Sequence, residues 1–157
     1  MTWYTVHYRF SQKFPFPLQD AYDWATDYGK DDIGLMGLQG ERKIDRIDKD
    51  TLVLNDTFFA HGRTTKKRRL VRIFPELHML TNTRLSGPNK HSQFLYQFVE
   101  EGKNGSRLDF TGAQVNRSKA RPTPAKIAAL AEQYASEDSV LWVNLAAAME
   151  RDLRARR

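Results

Sequence analysis

The chain contains no cysteine. That absence excludes disulfides, thiolate nucleophiles and cysteine-ligated zinc or iron–sulfur centres. No apolar run approaches the ~20 residues that a spanning helix requires. The opening MTWYTVHYRF lacks the charged region and apolar stretch of an export signal. The expectation is a cytoplasmic protein with no membrane span. Neither GxGxxG nor GxxxxGKS/T occurs, so no glycine-rich loop cradles a nucleotide phosphate. HExxH and GxSxG are missing too, and the four histidines, His7, His61, His78 and His91, are too scattered for ligand spacing. No cofactor and no metal are expected.

One acidic stretch needs testing against that last statement. Residues 22–32 read YDWATDYGKDD. A calcium loop of the EF-hand type wants oxygen ligands at its first, third and fifth positions and glycine at its sixth. Counting from Asp27 puts Gly29 third and Asp32 sixth; counting from Asp23 puts Ala25 third and Tyr28 sixth. Both fail, and the stretch reads as the end of one helix and the N-cap of the next.

What is present is a chain of 157 residues, 40% hydrophobic and 28% charged, sized for one domain spanning 1–157 around a single core. Its net charge of +6 is unevenly placed. Residues 63–72, RTTKKRRLVR, carry six Lys/Arg and no acid, and the tail RDLRARR adds +3, so the remainder is mildly acidic at −3. Two basic segments on an acidic body leave nucleic acid or an anionic surface as an alternative partner.

WYTVHYRFSQKF alternates strictly, with Tyr4, Val6, Tyr8, Phe10 and Phe14 on one face, and reads as a strand. Pro15 and Pro17 end it. Leu18, Ala21, Tyr22, Ala25 and Tyr28 then recur at helical spacing, with Gly29 as the expected C-cap. DDIGLMG allows one more short turn capped by Asp31 or Asp32. From residue 41 the period is two, with strands expected near 41–48, 51–60, 65–75, 76–86, 91–101 and 106–116. After the linker RSKARPTP, Thr123 is the expected N-cap and Pro124 the first residue of a helix that could exceed 30 residues, about 45 Å. Ile127, Leu130, Tyr134, Leu141, Leu145 and Met149 form its stripe.

The fold class predicted is α+β: a curved antiparallel sheet of about seven strands wrapped around a long C-terminal helix, with two short helices between strands 1 and 2. The alternating first strand, FPFPLQDAYDWATDY, the later basic strand pair and the long terminal helix together resemble the helix-grip fold of the START-like (SRPBCC) superfamily. That group includes lipid-transfer domains, pathogenesis-related allergens and polyketide cyclase/dehydrase-like proteins. The resemblance covers nearly the whole chain and implies a cavity between sheet and helix that takes a small hydrophobic molecule. It names no reaction and carries over no catalytic residue.

Alternation assigns the inner face. Tyr8 and Phe10 come from the first strand, Val71 and Ile73 from the basic one. Met79, Thr81 and Thr83 come from the strand at 76–86; Phe94, Tyr96, Phe98, Leu108 and Phe110 come from the last two. Leu141 and Leu145 face them from the helix. The expected ligand-binding set is therefore Tyr8, Phe10, Met79, Thr81, Thr83, Phe94, Tyr96, Phe110, Leu141 and Leu145, with Asn55, Thr57 and Arg69 joining in another register. A one-residue slip exchanges every assignment on a strand. Lys66, Arg68 and Arg72 fall on one face of the basic strand, Lys67 and Arg69 on the other, and the strand reads as stems covering a sheet with solvated heads. Binding or carriage of a small hydrophobic or aromatic ligand is the leading reading. The alternatives are a cyclase/dehydrase-like enzyme in the same cavity, for which Asp56 and Asp109 are the loose acid–base candidates although alternation points both outward, and phosphate contact through residues 63–72 and the tail. No oligomeric state is read from the sequence.

Overall fold

The computed structural model describes residues 1–156. Strand β1 (Thr2–Phe14) is followed by helices α1 (Leu18–Thr26) and α2 (Asp32–Leu35). Strands β2 (Gly40–Asp48), β3 (Thr51–Ala60) and β4 (Arg63–Phe74) come next, then a 3-10 turn (Pro75–Leu77). Strands β5 (Met79–Arg84), β6 (Gln93–Glu100) and β7 (Ser106–Ser118) lead into helix α3 (Pro124–Ala155). The seven strands form one antiparallel sheet in the order β1-β7-β6-β5-β4-β3-β2. From β2 to β7 the chain is a plain meander. The single long crossing is the α1–α2 segment, which carries it from one edge of the sheet to the other. β1 pairs β7 along its whole length, from Thr2 opposite Ser118 to Phe14 opposite Ser106.

Pro17 precedes α1, and the helix stops at Thr26, three residues before the expected glycine cap. Thr26 Oγ1 donates back to the Tyr22 carbonyl (2.8 Å), a local bond that competes with helix continuation. Gly29 instead donates its N–H to Asp32 Oδ2 (2.9 Å), and Asp31 occupies the N-cap position of α2. The acidic stretch is thus a brace between two helices. At α3 the N-cap Thr123 accepts from the Lys126 N–H (3.2 Å), with Pro124 in the first turn, and the helix runs unbroken through SED at 136–138.

The core lies between the inner sheet face and α3. Its buried members include Phe14, Phe16, Tyr22, Leu80, Phe98, Leu108 and Met149, each at most 3% exposed. Phe98 stacks on Phe14 (5.9 Å between centroids) and meets Tyr22 edge-on (5.6 Å). Along α3 only Ala148 and Met149 are fully buried, while Leu141 and Leu145 on the same stripe are half-buried. The helix packs tightly at one place and stands off the sheet at another.

The strand at 76–86 departs from expectation. Pro75–Leu77 forms the 3-10 turn, and His78 closes it with a left-handed φ of 49°. The turn resets the alternation: Leu80 and Asn82 are buried on the inner face, and Met79, Thr81 and Thr83 fall on the other. These three assignments are corrected by one residue. β3 needs the same correction. Leu52, Leu54, Asp56 and Phe58 share the inner face, so Asp56 points inward, 2% exposed, and Asn55 and Thr57 do not. Asp109 does lie outside the cavity, bonded to Arg107 and Ser11.

Candidate functional site: a cavity between sheet and helix

Where α3 stands off the sheet there is a cavity of about 700 Å³. One wall is aromatic. Tyr8 on β1, Phe94 and Tyr96 on β6 and Phe110 on β7 line it. Tyr8 tilts on Phe110 (5.4 Å) and meets Phe94 edge-on (6.5 Å); Tyr96 meets Phe110 edge-on (5.0 Å). Gly112 makes this grouping fit. A Cβ there would come within 2.9 Å of the Tyr8 ring and 3.1 Å of those of Phe110 and Phe94. From α3, Leu141, Trp142 and Leu145 close the opposite side, and Leu35 and Met36 of the α2 segment cover an end. Asn144 pins that segment by donating to the Met36 carbonyl (2.9 Å).

Six of the ten expected residues line the cavity: Tyr8, Phe94, Tyr96, Phe110, Leu141 and Leu145. Phe10 stands behind the lining, stacked on Phe110 at 4.5 Å. Met79, Thr81 and Thr83 are excluded by the register of β5, and the Met79 backbone carbonyl accepts from the Tyr22 hydroxyl instead (2.8 Å).

The second wall is polar. Thr65, Lys67 and Arg69 on β4 and Asn82 and Arg84 on β5 line it. The basic strand therefore divides its cations between two faces: Lys67 and Arg69 line the cavity, while Lys66, Arg68 and Arg72 are exposed on the other side. Asp56 lies beneath this wall, bridged by Arg42 (2.8 and 3.0 Å) and by Arg69. Burial alone pushes the Asp56 carboxyl up, but the Arg42 hydrogen bond and the charges of both guanidinium groups outweigh it and hold the carboxyl below its ordinary range. Arg42 also reaches Asp32 Oδ2 (3.2 Å), whose carboxyl burial raises. Lys67 has no carboxylate within ion-pairing distance among the described residues; its ammonium lies 5.3 Å from the centre of the Phe58 ring. Burial, with Arg84 and Arg69 close by, pushes Lys67 down to about 8.

An acid enters from the helix. Asp138 lines the cavity and accepts the Tyr8 hydroxyl at 2.5 Å. Burial raises the Asp138 carboxyl, only partly offset by that bond and by the charge of Lys67. Tyr8 is itself raised, by burial first and Asp138 second. Burial also raises Tyr28, to about 12, and Tyr96 further. Sequence reading missed Asp138, yet the signal was there: it lies four residues after Tyr134 and three before Leu141, on the same stripe. Among the described residues no group of three His, Asp or Glu could hold a metal ion.

No protein-family model matches the chain, and no curated protein matches it by sequence. Solved structures do match by shape. The Zhui aromatase/cyclase from Streptomyces sp. R1128 superposes with a TM-score of 0.78 at 14% identity, covering 98% of each chain. A protein of unknown function from Staphylococcus aureus gives 0.77 at 12% identity over 97% of this chain and 98% of that one. Norcoclaurine synthase from Thalictrum flavum, in complex with dopamine and hydroxybenzaldehyde, gives 0.73 at 11% identity over 99% and 90%. These likenesses establish the architecture: the chain has the helix-grip fold, a curved antiparallel sheet around a long C-terminal helix. No helix among the described residues is long and apolar enough to cross a membrane.

Proposed function

We propose that the protein is a single-domain cytoplasmic binder or carrier of a small, largely hydrophobic aromatic molecule, held between sheet and α3. The observation that carries this is the hollow itself. Its volume of about 700 Å³ falls among those of small-molecule sites, roughly 300–1,000 Å³. It is walled by Phe94, Tyr96, Phe110 and Trp142 with a few convergent polar groups. That a similarly folded protein is solved with dopamine and hydroxybenzaldehyde supports an aromatic occupant. The test is calorimetric titration with a neutral bicyclic aromatic ketone, 2-acetonaphthone. Saturable binding is expected, weakened by Leu141→Trp, which narrows the hollow. No binding by the wild type overturns the reading, and so does binding that survives Leu141→Trp unchanged.

A second reading, an enzyme of the cyclase/dehydrase sort, is favoured by Asp138, a cavity carboxyl raised by burial and held by Tyr8. Such a group suits proton delivery to a leaving hydroxyl. On this reading Asp138 gives its proton to the hydroxyl of a β-hydroxyketone such as 4-hydroxy-4-phenylbutan-2-one, which leaves as water, and the resulting carboxylate takes the α-proton as the conjugated enone forms. Asp138→Asn keeps ketone binding but loses the reaction. Wild-type protein that binds the hydroxyketone and leaves it unchanged removes this reading and retains the first.

A further inference from the structure

The polar wall is incompletely neutralised. Arg69 and Arg84 are directly opposite each other on β4 and β5, and Lys67 lies two residues from Arg69 on the same face. Their backbones are thus about 5 Å apart across the strands and about 7 Å apart along one. Like charges directly opposite destabilise a sheet, and charges taken out of water are ordinarily paired. Asp56 satisfies Arg69 but is shared with Arg42, whose other partner is Asp32. Two carboxylates thus answer two guanidinium groups, and Lys67 and Arg84 are left over. Asp138 is engaged by Tyr8 and makes no ion pair with either among the described residues, although its charge acts on both. Among the described residues Arg84 has a 3.4 Å contact to Asn89 Oδ1 and the face of Phe94 at 6.0 Å. Among the described residues the Nε–H groups of Arg69 and Arg84 are buried donors without an acceptor, and Asn82 Oδ1 is a buried acceptor without a donor.

We infer that the ligand is an aromatic carboxylate, its carboxylate received by Lys67, Arg69 and Arg84 and its ring lying against Phe94 and Tyr96. The inference rests on the aromatic-ligand reading above and specifies its chemistry. An oxyanion of two oxygens matches the guanidinium fork and supplies the missing acceptors. A hydroxyl on the ring beside the carboxylate would supply Asn82 with its donor. The cations lie on the strand next to the aromatic wall, and the Arg84 guanidinium sits over Phe94, so charge and ring are recognised together. The exposed acids at the rim, Asp27, Asp31, Glu137 and Asp152, are solvated, and salt at physiological strength screens them within about 8 Å.

The test compares two probes of one skeleton, 2-naphthoate and neutral 2-acetonaphthone, titrated into the full chain at pH 7. Wild type is expected to bind the acid at least ~10-fold more tightly, the value of one good charge-assisted bond. In Lys67→Met and Arg84→Met that preference falls to within ~3-fold. Equal wild-type affinities for the two probes overturn the inference and leave the cavity reading standing. Binding of neither overturns both. Because the wild-type comparison decides the matter alone, a variant that fails to fold does not obscure it, and a preference that survives both substitutions in folded protein also overturns the assignment.

Discussion

The two parts of the interior obey different rules. Around Phe14, Phe16, Tyr22, Phe98 and Met149 the side chains are apolar or have their one polar atom satisfied, and almost nothing is exposed. Around Lys67, Arg69, Asn82 and Arg84 the same sheet face carries charge, unpaired buried atoms and open volume. The first region is what a fold needs to be stable. The second is what stability alone would remove, because unpaired buried groups cost free energy that an apolar filling would not. The contrast teaches where to look for function: at the part of the core that has been left unfinished.

The largest expected effect tests that contrast directly. Phe98→Ala should cost about 3–5 kcal/mol in chemical denaturation, since the neighbours on Phe14 and Tyr22 cannot collapse into the space. Leu141→Ala, half-buried over the hollow, should cost about 1 kcal/mol, because it enlarges a void that already exists. Similar losses at the two positions would erase the distinction between solid and hollow regions.

Asp56 marks the boundary between them. Asp56→Asn leaves Arg42 and Arg69 facing a neutral group and should destabilise by about 3 kcal/mol at neutral pH. The sign with pH follows from the lowered native carboxyl. Its contribution is present above the ordinary aspartate value and is lost as pH falls through the native one. The difference in stability between wild type and variant should therefore shrink in acid, as read from denaturation midpoints between pH 7 and pH 2.

Lys67 reverses that sign. Its native value, about 8, lies below the ordinary lysine value of about 10.4. Between the two, the unfolded chain holds a proton that the native protein does not, so stability rises with pH across that window, and below pH 8 the full burden is present. Lys67→Met should stabilise the ligand-free protein on the order of 1–2 kcal/mol at pH 7, with the gain vanishing towards pH 10.5. The charged groups acting on Lys67 are Arg84 on β5, Arg69 on its own strand, Asp56 on β3 and Asp138 on α3. Preference for naphthoate over the ketone should weaken as pH passes 8. A variant no more stable than wild type at pH 7 would show that this lysine is already neutralised in solution.

How much of this was legible in the sequence depends on where polar and apolar residues alternate cleanly. β1, β6, β7 and α3 do so, and the inner faces read from Tyr8, Phe94, Tyr96, Phe110, Leu141 and Leu145 are those that line the cavity. β5 begins Met79-Leu80, two apolar residues in a row, so its parity rested on a turn whose 3-10 form was not visible. β3 begins Leu52-Val53-Leu54, all buried, which hides parity at the position that decides where Asp56 points. Alternation counted through that run points Asp56 outward. Only the cross-strand register, Arg42 opposite Asp56 opposite Lys67 with Arg69 within reach, reveals the partners that bring it inward. The expectation of solvated heads on the basic strand holds for Lys66, Arg68 and Arg72 and fails for Lys67 and Arg69: alternation separated the two sets, but did not show that the inner side was hollow.

That separation yields the smallest effect and the sharpest control. Lys66 and Arg68 are exposed on the outer face, each one residue away in sequence from a cavity cation. Arg68 uses its backbone to receive Leu85 and to donate to Ser86 Oγ (3.1 Å), and neither bond needs its side chain. Lys66→Gln and Arg68→Gln should change stability by less than ~0.5 kcal/mol each. They remove as much formal charge from the strand as Lys67→Met does, yet should leave both naphthoate and acetonaphthone affinity unchanged at physiological ionic strength. If net charge in the region were what attracts an anionic ligand, the outer pair would weaken naphthoate as strongly as the inner residue does. If recognition is local, only the cations that a period of two turns into the cavity matter, because partly buried charges are screened less than exposed ones.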